Sequence, residues 1–511
     1  MTAVSLAQTS AGSRTIRAVS RRILLLASLV LLGDWLFFTP QYGVSIAIFY
    51  AALAIAAFFA HRLDNQSRPW LALIVLVIAL LPVVEDLSAL SFCLAGIGTA
   101  AAALIAVGDF GGGFSARSWA IVRLLLGGPL QALVDGFKAP RLWSRLGGIA
   151  FDFRLLVRWI VPLASAAVFA LLFLSANPLL DYWLSQIQAP RATIEPDRIA
   201  LWGMLGIAVW PFLRLKAARL RRQKALPVTP AVVARPTSEI FGEAAILRSL
   251  IIFNLLFGVQ TLLDITYLWG GIALPAGMTY ADYAHRGAYP LMITALLAAG
   301  FVLAALREGQ AAEHSRLIRI LIVIWLGQNI LLVASSMLRL DLYVAVYSLT
   351  YLRFAAFVWM LLVAVGLGLI LIRMALHTPN GWLFDANLCS LGVALYACCM
   401  LNLPYLIARY NLMHCREISG EGTVLDFRYL DSLGLWALPA IDEALALQDT
   451  KNNRELHADF RDALLGRRYR LREAVDPSLR DWRSWSFRAE RLRRYRSGEV
   501  STVPATRDDR S

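Results

Sequence analysis

Residues 253–290 read FNLLFGVQTLLDITYLWGGIALPAGMTYADYAHRGAYP and combine a membrane-spanning pattern with polar side chains. The first half is apolar enough to form most of a transmembrane helix, which needs about 20 apolar residues. Gln260, Asp264 and Tyr267 recur at helical spacing on one face of this helix. Because a carboxylate in hydrocarbon is costly, we expect Asp264 to face other helices and to have a partner.

The second half, 271–290, leaves the membrane through a turn at Pro275 and Gly277 and gathers aromatic and charged side chains at the boundary. An aromatic belt with snorkelling charges accounts for such a boundary. A hydrogen bond between helices accounts equally well for Gln260 with Asp264. The alternative is a polar site open to the outer side of the membrane. Its candidate members are Gln260, Asp264, Tyr267, Tyr280, Asp282, Tyr283, His285, Arg286 and Arg353.

Two motifs in this stretch carry a resemblance to a known family. They are Gln260 followed by DITYLWGG from Asp264, and MTYADYAHRG from Met278. These motifs resemble the uncharacterised bacterial multi-pass membrane proteins catalogued as domain of unknown function 4173. The likeness runs from Arg248 into the early part of the tail. It implies a membrane protein of unknown activity and implies no substrate.

Composition places the whole chain among polytopic membrane proteins. Of its 511 residues, 58% are hydrophobic and 16% are charged, whereas soluble domains carry about 25% charged residues. The mean hydropathy is +0.60. Apolar runs predict an all-α transmembrane bundle of about eleven spans. The runs lie near residues 23–38, 42–60, 70–84, 87–107, 159–176, 199–213, 245–270, 287–306, 316–338, 343–372 and 385–406.

Two segments interrupt the membrane region, and a polar tail follows it. Residues 115–158 interleave arginine with tryptophan and leucine, which favours short helices among anionic lipid headgroups. A docking face for a cytoplasmic protein is the alternative. Residues 214–243 are first basic and then Pro-rich, which indicates a cytoplasmic linker between membrane halves at 23–213 and 244–406. The tail, 407–511, has apolar residues at helical spacing and is predicted to form a small helical domain.

Charge asymmetry predicts the orientation in the membrane. With the arm 1–22 in the cytoplasm, the predicted inner loops collect 25 Arg and Lys residues against four in the outer loops, a bias typical of cytoplasmic loops. An odd number of spans then places the tail outside, in the periplasm of a bacterial inner-membrane protein. Nucleic acid is not expected there, so lipid headgroups or a protein partner fit the tail arginines, with a solvated face as the alternative. The four outer cations are Arg191, Arg198, Arg286 and Arg339.

Arg353 is the basic residue placed deepest inside a predicted span. It lies roughly ten residues from the outer end, a depth comparable to that of Asp264 at a rise of about 1.5 Å per residue. We therefore expect these two charges to form an ion pair or to line one polar cavity. Asp34, Glu85 and Asp86 are competing partners for the arginine. The plainer alternative is a single structural salt bridge between two helices.

Motifs of catalysis are absent from the sequence. No lysine follows a glycine, which excludes a Walker A loop, and there is neither a Gly-x-Ser-x-Gly elbow nor a His-Glu-x-x-His metal site. The sequence therefore predicts no cofactor and no metal, and it gives an enzyme no residue-level support. Two classes of function stay open. One is an ion- or proton-coupled transporter or flippase; the other is a non-catalytic envelope sensor, scaffold or assembly factor whose tail docks a partner.

Overall fold

The computed structural model of the protein describes residues 2–38, 42–61, 68–108, 113–145, 195–215, 243–270, 297, 300–301, 315–450, 458–474 and 481–498. Every regular element within these ranges is helical, which confirms the all-α class. The chain divides into two compact units. Unit 1 contains Met1–Gly112, Ala116–Lys224 and Asp481–Ser486, and unit 2 contains Gly113–Ser115, Ala225–Arg480 and Phe487–Ser511.

Unit 1 is a helical bundle with an alanine- and leucine-rich core. A π-helical turn, Arg123–Gly127, joins its fifth and sixth helices. Leu36, Ala57, Val209 and Leu213 are among the side chains fully buried in its largest cluster. The described helices are α1 (Thr2–Phe37), α2 (Val44–Ala60), α3 (Pro69–Glu85), α4 (Ala89–Val107), α5 (Phe114–Val122), α6 (Gly128–Arg145) and α7 (Pro196–Leu213).

Helices α3 and α4 form a hairpin whose packing depends on small residues. Ser88 Oγ accepts the Ser91 N–H at 3.1 Å, and Ser91 Oγ accepts the Ser88 N–H at 2.8 Å. This reciprocal cap satisfies donors that the first turn of a helix leaves free. Further along the pair, a Cβ added to Gly98 would lie 2.0 Å from Ala79 Cβ. The two backbones can therefore approach this closely only because residue 98 has no side chain.

A segment of the tail packs on the end of α1 and the start of α2. The Val44 N–H donates to the Trp485 carbonyl at 2.9 Å. The rings of Trp35 and Trp482 lie 5.4 Å apart. Residues 481–486 consequently belong to unit 1, although the chain before and after them belongs to unit 2.

Unit 2 contains four of the five long apolar helices of the described residues, and most of the tail. A π-helical turn, Asp264–Trp269, directly continues its first helix. The described helices are α8 (Glu243–Leu263), α9 (Arg316–Tyr347), α10 (Tyr351–Leu376), α11 (Asn380–Met400), α12 (Leu403–Met413), α13 (Arg416–Ser419), α14 (Phe427–Ser432), α15 (Leu438–Thr450), α16 (Ala458–Glu473) and α17 (Phe487–Ser497).

Helix α9 is longer than its hydropathy predicts. We predicted a loop at 339–342, but the helix continues to Tyr347 and the break falls at 348–350. Ser348 has a positive φ of 67° there, which is uncommon for a residue other than glycine. The predicted boundary is wrong because Arg339 does not end the helix: its charge is buried and paired within the bundle.

The tail folds around its own core and holds the turn between α9 and α10. Asn411 Oδ1 accepts the Leu349 N–H at 2.7 Å, and Asn411 Nδ2 donates to the Leu349 carbonyl at 2.9 Å. Tyr429 Oη accepts the Tyr351 N–H at 2.9 Å. The backbone of the turn therefore finds in the tail the hydrogen bonds it lacks from a helix. Core side chains include Ile407, Leu412, Leu430, Ile441, Phe460 and Leu464.

Several described helices have the length and composition of membrane spans, which supports a membrane protein. The count of about eleven is not confirmed. The predicted run 159–176, most of 287–306 and the linker residues 216–242 lie outside the described residues. Val44–Ala60 and Pro69–Glu85 are shorter apolar helices. The five long candidates in the described part are Ala89–Val107, Ala244–Trp269, Arg316–Tyr347, Tyr351–Leu376 and Asn380–Met400.

The Gly98 contact gives a test of the α3–α4 packing. Gly98→Ala should lower the free energy of unfolding by about 1 to 3 kcal/mol, because the added methyl overpacks the interface. The matched control is Gly203→Ala in α7, where a Cβ meets nothing within 4 Å. That change should be neutral or stabilising, since alanine suits a helix better than glycine. Denaturant unfolding in detergent micelles measures both, and equal effects would contradict the contact.

Candidate functional site

The site is built where α8 changes from an α-helix to a π-helix. The turn begins at Asp264, and the Gly270 N–H closes it by donating to the Ile265 carbonyl at 2.8 Å, five residues back. A π-turn fits one extra residue into a helical turn and is frequent at functional sites. Here the π-turn begins at Asp264, which is the only acidic residue of α8 and its π-turn apart from Glu243.

Asp264 is buried in an ion pair with Arg339 of α9. The two residues are 1% and 2% exposed. Arg339 Nη2 donates to Asp264 Oδ1. Gln260 Nε2, one helical turn before the carboxylate, donates to the same oxygen at 2.9 Å. The pair is thus charge-balanced and carries an additional hydrogen bond, which is how a bundle interior accommodates two charges.

A second polar contact at the same level joins the π-turn to α9. Trp269 Nε1 donates to Ser335 Oγ at 3.1 Å. Ser335 is fully buried. Since Ser335 and Arg339 are one turn apart on α9, both contacts lie on the same helix face. The end of α8 is therefore held to α9 by two adjacent polar contacts.

Amide side chains continue the polar lining along the α8–α9 interface. Asn254 Nδ2 donates to the carbonyls of Leu250 at 2.8 Å and Leu321 at 3.1 Å. Asn329 is fully buried and its Nδ2 donates to the Trp325 carbonyl at 2.7 Å. Within the described part of the chain, the following buried atoms have no hydrogen-bond partner: Asn254 Oδ1, Gln328 Oε1, Asn329 Oδ1 and Trp325 Nε1.

The predicted pair of Asp264 with Arg353 is wrong, because the structure gives Asp264 a different arginine. Arg353 lies in the first turn of α10. Its Nη1 donates to the carbonyls of Tyr347 and Ser348 at the end of α9. Its guanidinium also lies 4.7 Å from the centre of the Tyr343 ring. Arg353 therefore closes the turn between two helices, at their ends rather than deep inside a span.

The competing partners proposed for Arg353 all belong to unit 1. Asp34 forms a bidentate pair with Arg198, with Arg198 Nε donating at 2.8 Å. Trp202 Nε1 donates to the same carboxylate at 2.9 Å. The sequence placed Asp34 near the outer end of the first span and Arg198 in an outer loop, and this pair brings the two together.

The remaining predicted site residues divide into two groups. Gln260 joins the site as expected, and Tyr267 lies half-buried within the π-turn. The exit-loop candidates lie outside the described residues, so their part in the site stays a prediction. They are Tyr280, Asp282, Tyr283, His285 and Arg286.

Arg339 is the site residue that sequence reasoning missed. Trp325, Asn329, Leu332, Ser336 and Arg339 repeat at spacings of four and three, which places them on one face of a single helix. The polar residues on this face, Asn329, Ser336 and Arg339, are all buried. If the helix is continued through Arg339 along this pattern, and not ended at the charge, Arg339 becomes a candidate partner of Asp264.

Comparison with known proteins identifies the family. A family model described as "Domain of unknown function (DUF4153)" matches residues 71–444, more than half of the chain. The chain belongs to the DUF4153 family. The predicted family number, 4173, is therefore wrong, and only the assignment to an uncharacterised domain family is confirmed. No match was found among curated proteins or among solved structures.

The DUF4153 region extends from α3 into α15. It contains Asp264 and Arg339 together with the α9–α10 turn and the first helices of the tail. Within the described residues, no group of three or more histidine, cysteine or acidic side chains is arranged to hold a metal ion. The buried Asp264–Arg339 pair is the candidate site in the described part of this domain.

A double-mutant cycle tests the pair. Asp264→Asn or Arg339→Gln alone should lower the free energy of unfolding by about 3 to 5 kcal/mol, because each leaves the opposite charge buried and unpaired. The double variant should recover much of that loss, since neither charge is stranded. Thermal unfolding in detergent, with membrane abundance as a second readout, measures the cycle.

An exposed ion pair provides the control for this cycle. Arg409 and Glu443 are joined at 3.0 Å, with side chains 51% and 36% exposed. Neutralising either of them should change the free energy of unfolding by no more than about 1 kcal/mol. Strictly additive losses for the Asp264 and Arg339 variants would show that the two residues do not act as a pair.

Proposed function

We propose that this DUF4153 protein is an ion- or proton-coupled membrane transporter, of carrier or flippase type, with its polar site at Asp264 and Arg339. The observation that carries the proposal is a fully buried ion pair on a π-turn inside a candidate span. Charged side chains within membrane segments are rare and mark ion and substrate paths or proton relays. A helix pair that only needed to be held together could use apolar packing instead.

The chemistry of the site follows from its donors and acceptors. A proton on Asp264, or an anionic group bound by Arg339, would remove the attraction between the two helices. The amide oxygens of Asn254, Gln328 and Asn329 would accept hydrogen bonds from a ligand that carries donors. Asn329 and Arg339 are ten residues apart, about 15 Å along α9. A path lined with polar groups would therefore run along the α8–α9 interface from the ion pair toward the membrane centre.

We further propose a bacterial inner-membrane location with the amino terminus in the cytoplasm and the tail in the periplasm. The contacts of residues 481–486 support this orientation without a count of spans. They lie at the end of α1 that follows its apolar run, beside Trp35 and Val44. The arginines of α1 that precede its apolar run favour a cytoplasmic location for that end of the helix. A tail segment at the opposite end of the same helix then lies on the opposite side of the membrane.

Reporter fusions test the orientation. Alkaline phosphatase fused after Ser511 should be active, because that enzyme matures only outside the cytoplasm, and a fusion at Gln223 should be inactive. Green fluorescent protein at the same two positions should give the reverse pattern. An active phosphatase at Gln223 with an inactive one at Ser511 would overturn the proposed orientation.

A non-catalytic envelope scaffold or sensor is the second candidate, favoured by how the tail is built. The tail has its own hydrophobic core and holds the α9–α10 turn through Asn411. Its acidic residues already pair with many of its arginines. Arg493 and Arg494, for example, lower the pKa of Glu490 to about 2. An acidic partner would therefore have to use arginines that lie exposed, such as Arg428 and Arg470.

Complementation of a deletion strain separates the two candidates. A transporter should lose complementation in the double variant Asp264→Asn with Arg339→Gln, even when membrane abundance and melting temperature are restored. A scaffold should keep complementation in that variant. It should lose function instead when Asn411→Ala releases the tail from the α9–α10 turn. The matched control is neutralisation of Arg409 and Glu443, which both candidates should tolerate.

A further inference from the structure

One end of unit 1 concentrates positive charge, and we call it the basic end. It is defined by contacts among three helices. Arg21 Nη2 of α1 donates to the carbonyl of Ala60, the last residue of α2, at 3.0 Å. His61, which follows α2, lies with Nε2 3.1 Å from the Phe212 carbonyl of α7. These contacts bring the arginine pair of α1 to the ends of α2 and α7.

Arg22 is the residue of the basic end that the protein leaves unsatisfied. Its side chain is half-buried, and its Nε is buried without a hydrogen-bond partner. Within the described residues neither Arg21 nor Arg22 forms an ion pair. Burial lowers the pKa of Arg22, and the charges of Arg21 and Arg214 lower it further. The guanidinium is therefore partly desolvated among like charges, a state that a bound anion would relieve.

One carboxylate faces this cluster in the described part of unit 1. Asp135 of α6 pairs with Arg214 and also accepts the Trp210 Nε1–H at 3.1 Å. A single carboxylate does not balance three guanidinium groups. Burial lowers the pKa of His61 and Arg22 lowers it further, so the imidazole adds little charge of its own. Among the described residues of the basic end, positive charges therefore outnumber negative ones.

The dipole of a helix C-terminus accounts for Arg21 but not for Arg22. Arg21 donates to the final carbonyl of α2, where a cation is favoured. Arg22 donates to no carbonyl in the described residues, so the same explanation does not reach it. Its buried Nε–H, which has no acceptor in the described part of the chain, is the donor that a further ligand would use.

An exposed apolar ridge lies on the helices beside the basic end. Trp119, Leu126 and Leu130 are 67%, 71% and 66% exposed. They belong to α5, the π-turn and α6, and α6 reaches the basic end through Asp135. An apolar ridge next to arginines is typical of a segment lying at the lipid headgroup level. Anionic groups concentrated at that level are lipid phosphates.

We propose that Arg21, Arg22 and Arg214 form a binding site for a phosphate group at the basic end of unit 1. Guanidinium groups bind phosphate through paired N–H donors, and the buried Arg22 Nε meets no acceptor in the described part of the chain. Arg214 has five donors and can hold Asp135 and a phosphate oxygen together. The phosphate belongs to an anionic lipid headgroup or to a free phosphate ion, two sources with the same chemistry.

Lipid binding is tested with the full chain in nanodiscs of equal phosphatidylglycerol and phosphatidylcholine. Native mass spectrometry after release should show phosphatidylglycerol retained over phosphatidylcholine. The variant Arg21→Gln with Arg22→Gln should bind phosphatidylglycerol about 30-fold more weakly, because it loses two charges near the headgroups. The control Arg428→Gln with Arg470→Gln removes two exposed tail arginines and should keep wild-type retention.

Free phosphate is tested in nanodiscs of phosphatidylcholine alone. Broadening of the ³¹P signal of inorganic phosphate should appear with the wild type and disappear with the double variant if the site takes the ion. The measurement is then repeated with phosphatidylglycerol added to the nanodiscs. If the lipid abolishes the broadening, the lipid is the occupant of the site. If the broadening persists, the free ion is the occupant. Absence of both phosphatidylglycerol retention and broadening, or the same binding in wild type and double variant, overturns the site.

A second variant keeps the test decisive if the double variant does not fold. Arg22→Lys keeps the charge but loses the planar fork that grips two oxygens. It should weaken phosphate binding several-fold while the melting temperature without ligand stays near that of the wild type. Unchanged binding in Arg22→Lys, together with unchanged lipid selectivity, would assign no role to this side chain and overturn the proposal.

Discussion

Unit 2 is organised by the cost of placing Asp264 and Arg339 in an apolar bundle. Each charge alone would be strongly disfavoured there, so each fixes the position of the other. The ion pair and the bond from Trp269 to Ser335 join α8 to α9 at positions one turn apart on α9, and together they favour a single register between the two helices. Apolar packing around Trp325 tolerates small shifts, whereas an ion pair does not. The polar contact, rather than the core, selects one arrangement of the two helices.

The helices could be predicted from the sequence because hydrocarbon admits few alternatives. A backbone without water must satisfy its own hydrogen bonds, so long apolar runs become helices almost regardless of detail. The runs beginning near residues 42, 70, 87 and 316 all correspond to observed helices. The helical tail followed from the spacing of Leu456, Phe460 and Leu464, of which the last two are buried in its core.

The partner of Asp264 could not be predicted in the same way, because hydropathy treats each charge as evidence against a span. Hydropathy therefore predicts a loop at Arg339 and places Arg353 deep inside a span. Hydropathy contains no information on whether a charge will be neutralised by a neighbouring helix. Arg353 lies at a helix junction because the chain breaks nine residues later than predicted, at Ser348 rather than at 339. Because the predicted helix break lies at 339, Arg339 is assigned to a loop and Arg353 to the buried pair, whereas in the structure Arg339 forms the pair and Arg353 lies at the turn.

The tail segment Asp481–Ser486 has a consequence for biosynthesis. Its contacts with Trp35 and Val44 join residues that are far apart in the sequence. A ribosome delivers α1 and α2 to the membrane long before it delivers their last neighbours. During that interval the end of unit 1 lacks a backbone hydrogen bond for Val44 and an aromatic cover for Trp35. A nascent chain released before residue 481 would leave this end of unit 1 uncovered, with the Val44 N–H and the Trp35 ring without these partners.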